Sequence, residues 1–271
     1  GGFDQSIGSI AGGGAVSLGL GNLTVGGDNT STTLTGAISG SGNVTKIGEG
    51  VWTLTGSSSF KGTMNIVQGT VSVASVNDHA ANTPLGCATL TTATITLGGP
   101  ATEGTLRYTG GDGASNRPLA VGGAGGGIVE ITRADTELVY DGGLSIPQGT
   151  FRKTGPGTLI LDGPQSHGAA ALIAVEGGLV LRSDSGTAAT AGAAAVANLT
   201  LSAAGGVTRL EADQTLKSLS VGAAGALDLN GRTVRAYALG DEAALNAAAG
   251  AGWLIDTTAG VNAAIGIADL A

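Results

Sequence analysis

Apolar residues along this chain come in short alternating bursts, and each burst is entered from a glycine. The recurring phrase is glycine, a spacer, then two apolar residues separated by one residue. It appears as Gly21-Asn22-Leu23-Thr24-Val25, Gly50-Val51-Trp52-Thr53-Leu54, Gly69-Thr70-Val71-Ser72-Val73 and Gly104-Thr105-Leu106-Arg107-Tyr108. Three more copies are Gly157-Thr158-Leu159-Ile160-Leu161, Gly177-Gly178-Leu179-Val180-Leu181 and Gly225-Ala226-Leu227-Asp228-Leu229. A period of two after a glycine turn predicts short strands with alternate side chains buried. Such repetition predicts stacked equivalent units.

The copies mostly recur at roughly 18–24 residues with weaker strands between them, too short for βαβ units and suited to solenoid coils of two or three strands. A β-sandwich would also give many short strands and turns, but with more aromatics and fewer copies of one phrase. The expected fold is all-β, a parallel β-helix. At ~22 residues per coil it makes about twelve coils, a rod of roughly 60 Å. Residues 1–271 are expected to form a single β-helix segment with an irregular or partly capping end at 241–271. Residues 76–103 read as a looser stretch ending in a strand at Thr94-Ile95-Thr96-Leu97. The alanine runs at 188–197 and 243–251 have helical propensity but no large apolar stripe, so loops or short helical caps are expected. Trp253 to Ala271 is apolar and unpatterned, a cut edge covering the last layer in part.

Composition supports thin layers. Aromatics are 3% and glycine is 51 of 271 residues, so the core is built from Val, Leu, Ile and Ala. Collagen is excluded by the missing Gly-X-Y period, and disorder by a charged fraction of only 12%. A net charge of −8 with twelve Lys and Arg argues against nucleic acid, which requires a basic patch. Cys87 is the single cysteine, expected as a small buried hydrophobe. No run of ~18 apolar residues signals a membrane helix. The start at Gly1-Gly2-Phe3-Asp4 has no signal-peptide character, so the chain reads as a piece of something longer.

One longer copy carries more information. Gly42-Asn43-Val44-Thr45-Lys46-Ile47-Gly48-Glu49-Gly50-Val51-Trp52-Thr53-Leu54-Thr55-Gly56 is followed by Phe60-Lys61-Gly62-Thr63 and Gln68-Gly69-Thr70-Val71-Ser72-Val73. A second copy runs Phe151-Arg152-Lys153-Thr154-Gly155-Pro156-Gly157-Thr158-Leu159-Ile160-Leu161-Asp162-Gly163 and closes at Gly177-Gly178-Leu179-Val180-Leu181, with His167 where the first copy has Phe60. The copies, near 42–75 and 151–181, resemble the passenger-associated strand repeat of Gram-negative autotransporters. The resemblance implies a right-handed parallel β-helix passenger exported through a C-terminal membrane barrel. No run of ~10-residue amphipathic strands with aromatic girdles follows residue 240, so a barrel is expected in the full-length protein and not in this piece. The repeat builds and secretes; it has no catalytic residues to carry over.

Within the motif, Gly48, Gly50, Gly155 and Gly157 are expected at tight turns, often with φ > 0. Lys46 and Lys153 precede those turns and are expected either to cover neighbouring carbonyls or to pair with an acid such as Glu49.

Candidate chemistry elsewhere has a structural explanation in each case. Ser183-Asp184-Ser185-Gly186, with His79 and Asp112 or Asp135 upstream, matches the chain order of a trypsin-like protease, but a turn after Leu181 accounts for it. Glu130, Asp135, Glu137 and Asp141 cluster in sequence as a carbohydrate-active enzyme would require, yet only Arg133 and Tyr140 stand near to serve as sugar contacts. Gly110-Gly111-Asp112-Gly113 is half a calcium nonapeptide without tandem copies, and Gly122 to Gly127 lacks the Gly-Lys-Ser/Thr of a phosphate loop. His79 and His167 have no ligand partners at metal spacing. Asn22, Asn29, Asn43 and Asn198 fall in chance Asn-x-Ser/Thr triplets.

The expectation is a non-enzymatic, surface-exposed or secreted segment with no catalytic residue, cofactor or metal. It acts as adhesin, self-association surface or stalk, and its partner is a host-cell or matrix receptor or another copy. The alternatives are a carbohydrate-active enzyme on the same scaffold and a pure secretion or spacer module.

Overall fold

The computed structural model describes residues 2–89, 92–184, 199–239, 253–256 and 263–266. They form a parallel β-solenoid of about ten turns, with no helix. Each regular turn contributes strands to three faces. Face A stacks Gln5–Ile7, Leu23–Val25, Val44–Lys46, Met64–Ile66, Ile95–Leu97, Leu119–Val121, 144–146 and 165–167. Face B stacks Thr32–Leu34, Val51–Leu54, Gly69–Val73, Gly104–Tyr108, Gly127–Ile131, 150–154, 170–174, Leu199–Ala203 and 218–221. Face C stacks Gly113–Ser115, Glu137–Tyr140, Thr158–Leu161, Gly178–Leu181, Val207–Leu210 and Ala226–Asp228.

All seven glycine phrases are strands, but they do not share a face. The first lies on face A, the next three on face B, and the last three on face C. The phrase therefore specifies a local corner and strand, and the same corner is built at different vertices of the coil.

In-register stacking puts like on like. Leu23, Val44, Met64, Ile95 and Leu119 form one inward column, each at most 4% exposed. Each buried aliphatic side chain contributes about 1.5–3 kcal/mol, and the column needs no large gap-filler because its neighbours above and below have matching shapes.

The described residues make about ten turns, and part of the chain between them is spent on excursions. The main one, 74–94, is not loose. Cys87 N–H donates to Phe60 O (2.9 Å), Ser58 bridges Thr83 antiparallel, and the Phe60 ring lies against Gly86, where a Cβ would come within 2.7 Å of it. Val76, Leu85, Cys87, Ala88 and Ala93 are buried. At the far end Trp253–Asp256 joins the stack in parallel on Thr233–Leu239, and Ala263–Gly266 returns antiparallel. The alanine runs at 188–197 and 243–251 lie outside the described residues.

Candidate functional site

The two lysines of the long motif are in the interior, 1% and 0% exposed at Lys46 and Lys153. Lys46 ends a face A strand and Lys153 lies in a face B strand, in register with Ile66 and Val129 respectively. Lys46 Nζ donates to the carbonyls of Ile47 (2.7 Å), Gly48 (2.7 Å) and Gln68 (3.3 Å). Lys153 Nζ donates to those of Thr154 (2.9 Å), Gly155 (2.7 Å) and Glu176 (3.1 Å). Three donors meet three acceptors, and the third acceptor comes from the next turn. Of the two expected roles, covering carbonyls is realised; Glu49 is not a partner in any described ion pair.

Burial lowers both lysines, Lys153 to about 8, with Glu176 acting in the opposite direction. Both ammonium groups are thus held by backbone dipoles in place of a carboxylate. The turn geometry makes this reachable. Gly48 and Gly155 adopt φ of 70° and 75°, which folds their carbonyls back toward the lysine. Gly50 and Gly157 serve by close approach instead: a Cβ at Gly50 would sit 2.2 Å from Thr30 O.

A second recurrent device ties consecutive turns. Asp4 Oδ1 accepts the N–H of Asn22, Asn22 Oδ1 that of Asn43, and Asn43 Oδ1 that of Thr63, each at 2.8 Å. Asn29 does the same for Glu49, Asp78 for Asn116, Asp112 for Glu137, Asp184 for Thr215 and Asp213 for Thr233. In every case the side chain reaches forward by one turn and satisfies a corner N–H that the strand ladder leaves over. The side chains of Asn22, Asn29 and Asn43 are therefore engaged in the scaffold; Asn198 lies outside the described residues.

The acidic residues that cluster in sequence are separated in space. Glu130 lies on face B and pairs with Arg107 one turn earlier at 2.7 Å. Asp135 pairs with Arg133 at 3.0 Å on the surface, Glu137 starts a face C strand, and Asp141 is exposed. Tyr140 is fully buried and offers no platform to a sugar. Asp112 of the calcium-like segment Gly110–Gly113 is used as the cap on Glu137.

The described protease-like residues are engaged elsewhere in the scaffold. His79 meets Asn116, whose Oδ1 stands 2.8 Å from both its N–H and its Nδ1. Ser183 Oγ donates to Gly163 O, Asp184 caps Thr215, and Ser185 lies outside the described residues. Among the described residues no group of three or more His, Cys, Asp or Glu is arranged to hold a metal ion.

Cys87 is 4% exposed, with Lys61 Nζ 3.2 Å from its Sγ. His167 occupies an inward position of face A, in register with Ile146. Its Nε2 lies 3.1 Å from Gln165 Oε1, its Nδ1 is buried without a partner, and burial pushes it down to about 4.

The outward positions of face A are chemically plain. Ser6, Thr24, Thr45, Asn65, Thr96, Ala120, Ser145 and Ser166 stack in one unbroken outer column on face A. This column is not legible in the sequence, because its members lie in strands of different sequence and only the register aligns them.

Comparison with known proteins agrees with this construction. The family model described as the passenger-associated-transport-repeat matches residues 44–73 and 151–169, the segments that carry the two lysines. The "Adhesin BmaC autotransporter" of Brucella suis biovar 1 (strain 1330) is 36% identical over 135 residues, which is 48% of this chain and 4% of that protein. The chain thus spans a small part of the relative it matches. No solved structure gives a significant match. The two matched repeats, set in a stacked parallel solenoid, and the likeness to an autotransporter adhesin support a passenger-domain fragment of an autotransporter.

Proposed function

We propose that this segment is a non-enzymatic part of an exported passenger, at the cell surface or secreted from a Gram-negative bacterium, that binds through its outer faces. It serves as an adhesin toward a host-cell or matrix receptor, or toward another copy. The observation that carries this reading is the outer column of face A, from Ser6 through Thr45 and Asn65 to Ser166. It offers hydroxyl and amide groups at ~4.8 Å intervals, interrupted once at Ala120, along an uncharged column. Lys46, Lys153, Asn22, Asn29, Asn43, Asp112 and Asp184 are occupied in the scaffold, which supports binding by an extended face over chemistry at a pocket. The relative named as an adhesin supports the same reading.

The test is adhesion of beads coated with the 271-residue chain to host cells, to matrix proteins and to one another. Thr45→Lys, Asn65→Lys and Thr96→Lys together should abolish the adhesion while the protein stays folded by circular dichroism. Adhesion unaffected by these changes contradicts the reading. So does polysaccharide turnover that is lost in Glu130→Gln or Asp135→Asn, because it would assign an enzyme to the same scaffold.

A further inference from the structure

Arg117 and Tyr140 come from successive turns and both point inward. Ser115 stacks in register with Tyr140, and Arg117 follows two residues later with its N–H donating to Ser115 Oγ. The two side chains are 1% and 0% exposed. Arg117 Nε donates to Ala93 O and Nη1 to Leu85 O, both at 2.8 Å. Its Nη2 and the Tyr140 hydroxyl are both buried with no hydrogen-bond partner. No described ion pair includes Arg117. Burial lowers the Arg117 guanidinium from its ordinary value, with Tyr140 and Cys87 acting in the opposite direction.

A buried guanidinium without a counter-charge is costly, and orphaned buried polar groups in native folds commonly meet a water or an ion. Here one formal positive charge and two unmet O–H and N–H donors lie in adjacent layers of a closed interior. An acceptor-only, negatively charged ligand answers both needs; a water leaves the charge uncompensated. We propose that Arg117 Nη2 and the Tyr140 hydroxyl form an internal site for one small monovalent anion, a halide.

Bromide is the probe. Crystals of the 271-residue chain grown in sodium bromide should give an anomalous peak within hydrogen-bonding distance of both Nη2 and the hydroxyl. A water there without anomalous signal, or a direct Arg117–Tyr140 hydrogen bond, overturns the proposal. In solution, the wild type should melt several degrees higher in chloride than in gluconate at equal ionic strength. Tyr140→Phe, still folded by circular dichroism, should lose at least half of that difference. Equal melting of the wild type in the two salts, or an undiminished difference in Tyr140→Phe, also overturns it.

Discussion

Lys46 and Lys153 make the same three hydrogen bonds from two different faces of one solenoid. Each Nζ donates to the carbonyls one and two residues ahead and to a third on the following turn. The motif is thus a portable corner: a buried cation gathers three carbonyls that a tight glycine turn would otherwise leave unsatisfied. Lys153→Met and Lys46→Met keep most of the side-chain volume but strand those acceptors. Each should lower stability by about 1–3 kcal/mol, read as a shift in the urea midpoint with the slope unchanged. Unchanged midpoints would show that the carbonyls find other partners.

His167 replaces the aromatic step of the second motif and makes that turn sensitive to acid. Burial holds it at about 4, below the ordinary 6.5. Between those values the unfolded chain takes up a proton that the folded chain refuses, so stability is lost as pH falls from 6.5 through 4. The full effect is on the order of 1–3 kcal/mol. The difference in stability between wild type and His167→Phe should therefore shift against the wild type between pH 7 and pH 4.5. Parallel pH profiles for the two proteins would contradict a buried neutral imidazole.

The side-chain caps between turns should contribute individually. Asn43→Ala removes the acceptor for the Thr63 N–H and hydroxyl, at a cost of about 0.5–2 kcal/mol. Asn43→Asp keeps the acceptor and should recover most of that loss. Hydrogen exchange at the Thr63 amide should speed up in the alanine variant alone. An aspartate variant as unstable as the alanine one would count against capping.

The strands were legible because glycine entry and two-residue alternation are local signals, and every copy of the phrase became one. The lysine role was legible as one of two alternatives, since a cation beside a glycine turn has carbonyls within reach whatever surrounds it. The face on which each copy sits was not legible. A corner encodes its own bend, and the vertex it occupies depends on how much chain precedes it, including the excursion at 74–94. That excursion looked loose because its burial rests on Phe60 against Gly86, a contact between residues far apart in sequence. Tyr140 follows the alternation that buries Leu138, yet proximity to the acidic residues suggested a surface role. Arg117, one of the largest buried side chains, carries no local sign of burial, because it lies just past the strand Gly113–Ser115 and its carbonyl partners lie in the preceding excursion.

The central claim is that the second motif copy is rotated to another face, and engineered cross-links test it most directly. In a Cys87→Ala background, Ile128→Cys with Arg152→Cys joins register partners on adjacent turns of face B, a separation compatible with a disulfide. Ala120→Cys with Arg152→Cys joins the strand that Arg152 would neighbour if the second copy sat on face A as the first does. The rotated arrangement predicts rapid oxidation of the first pair and none of the second. Oxidation of the second pair without the first would contradict it.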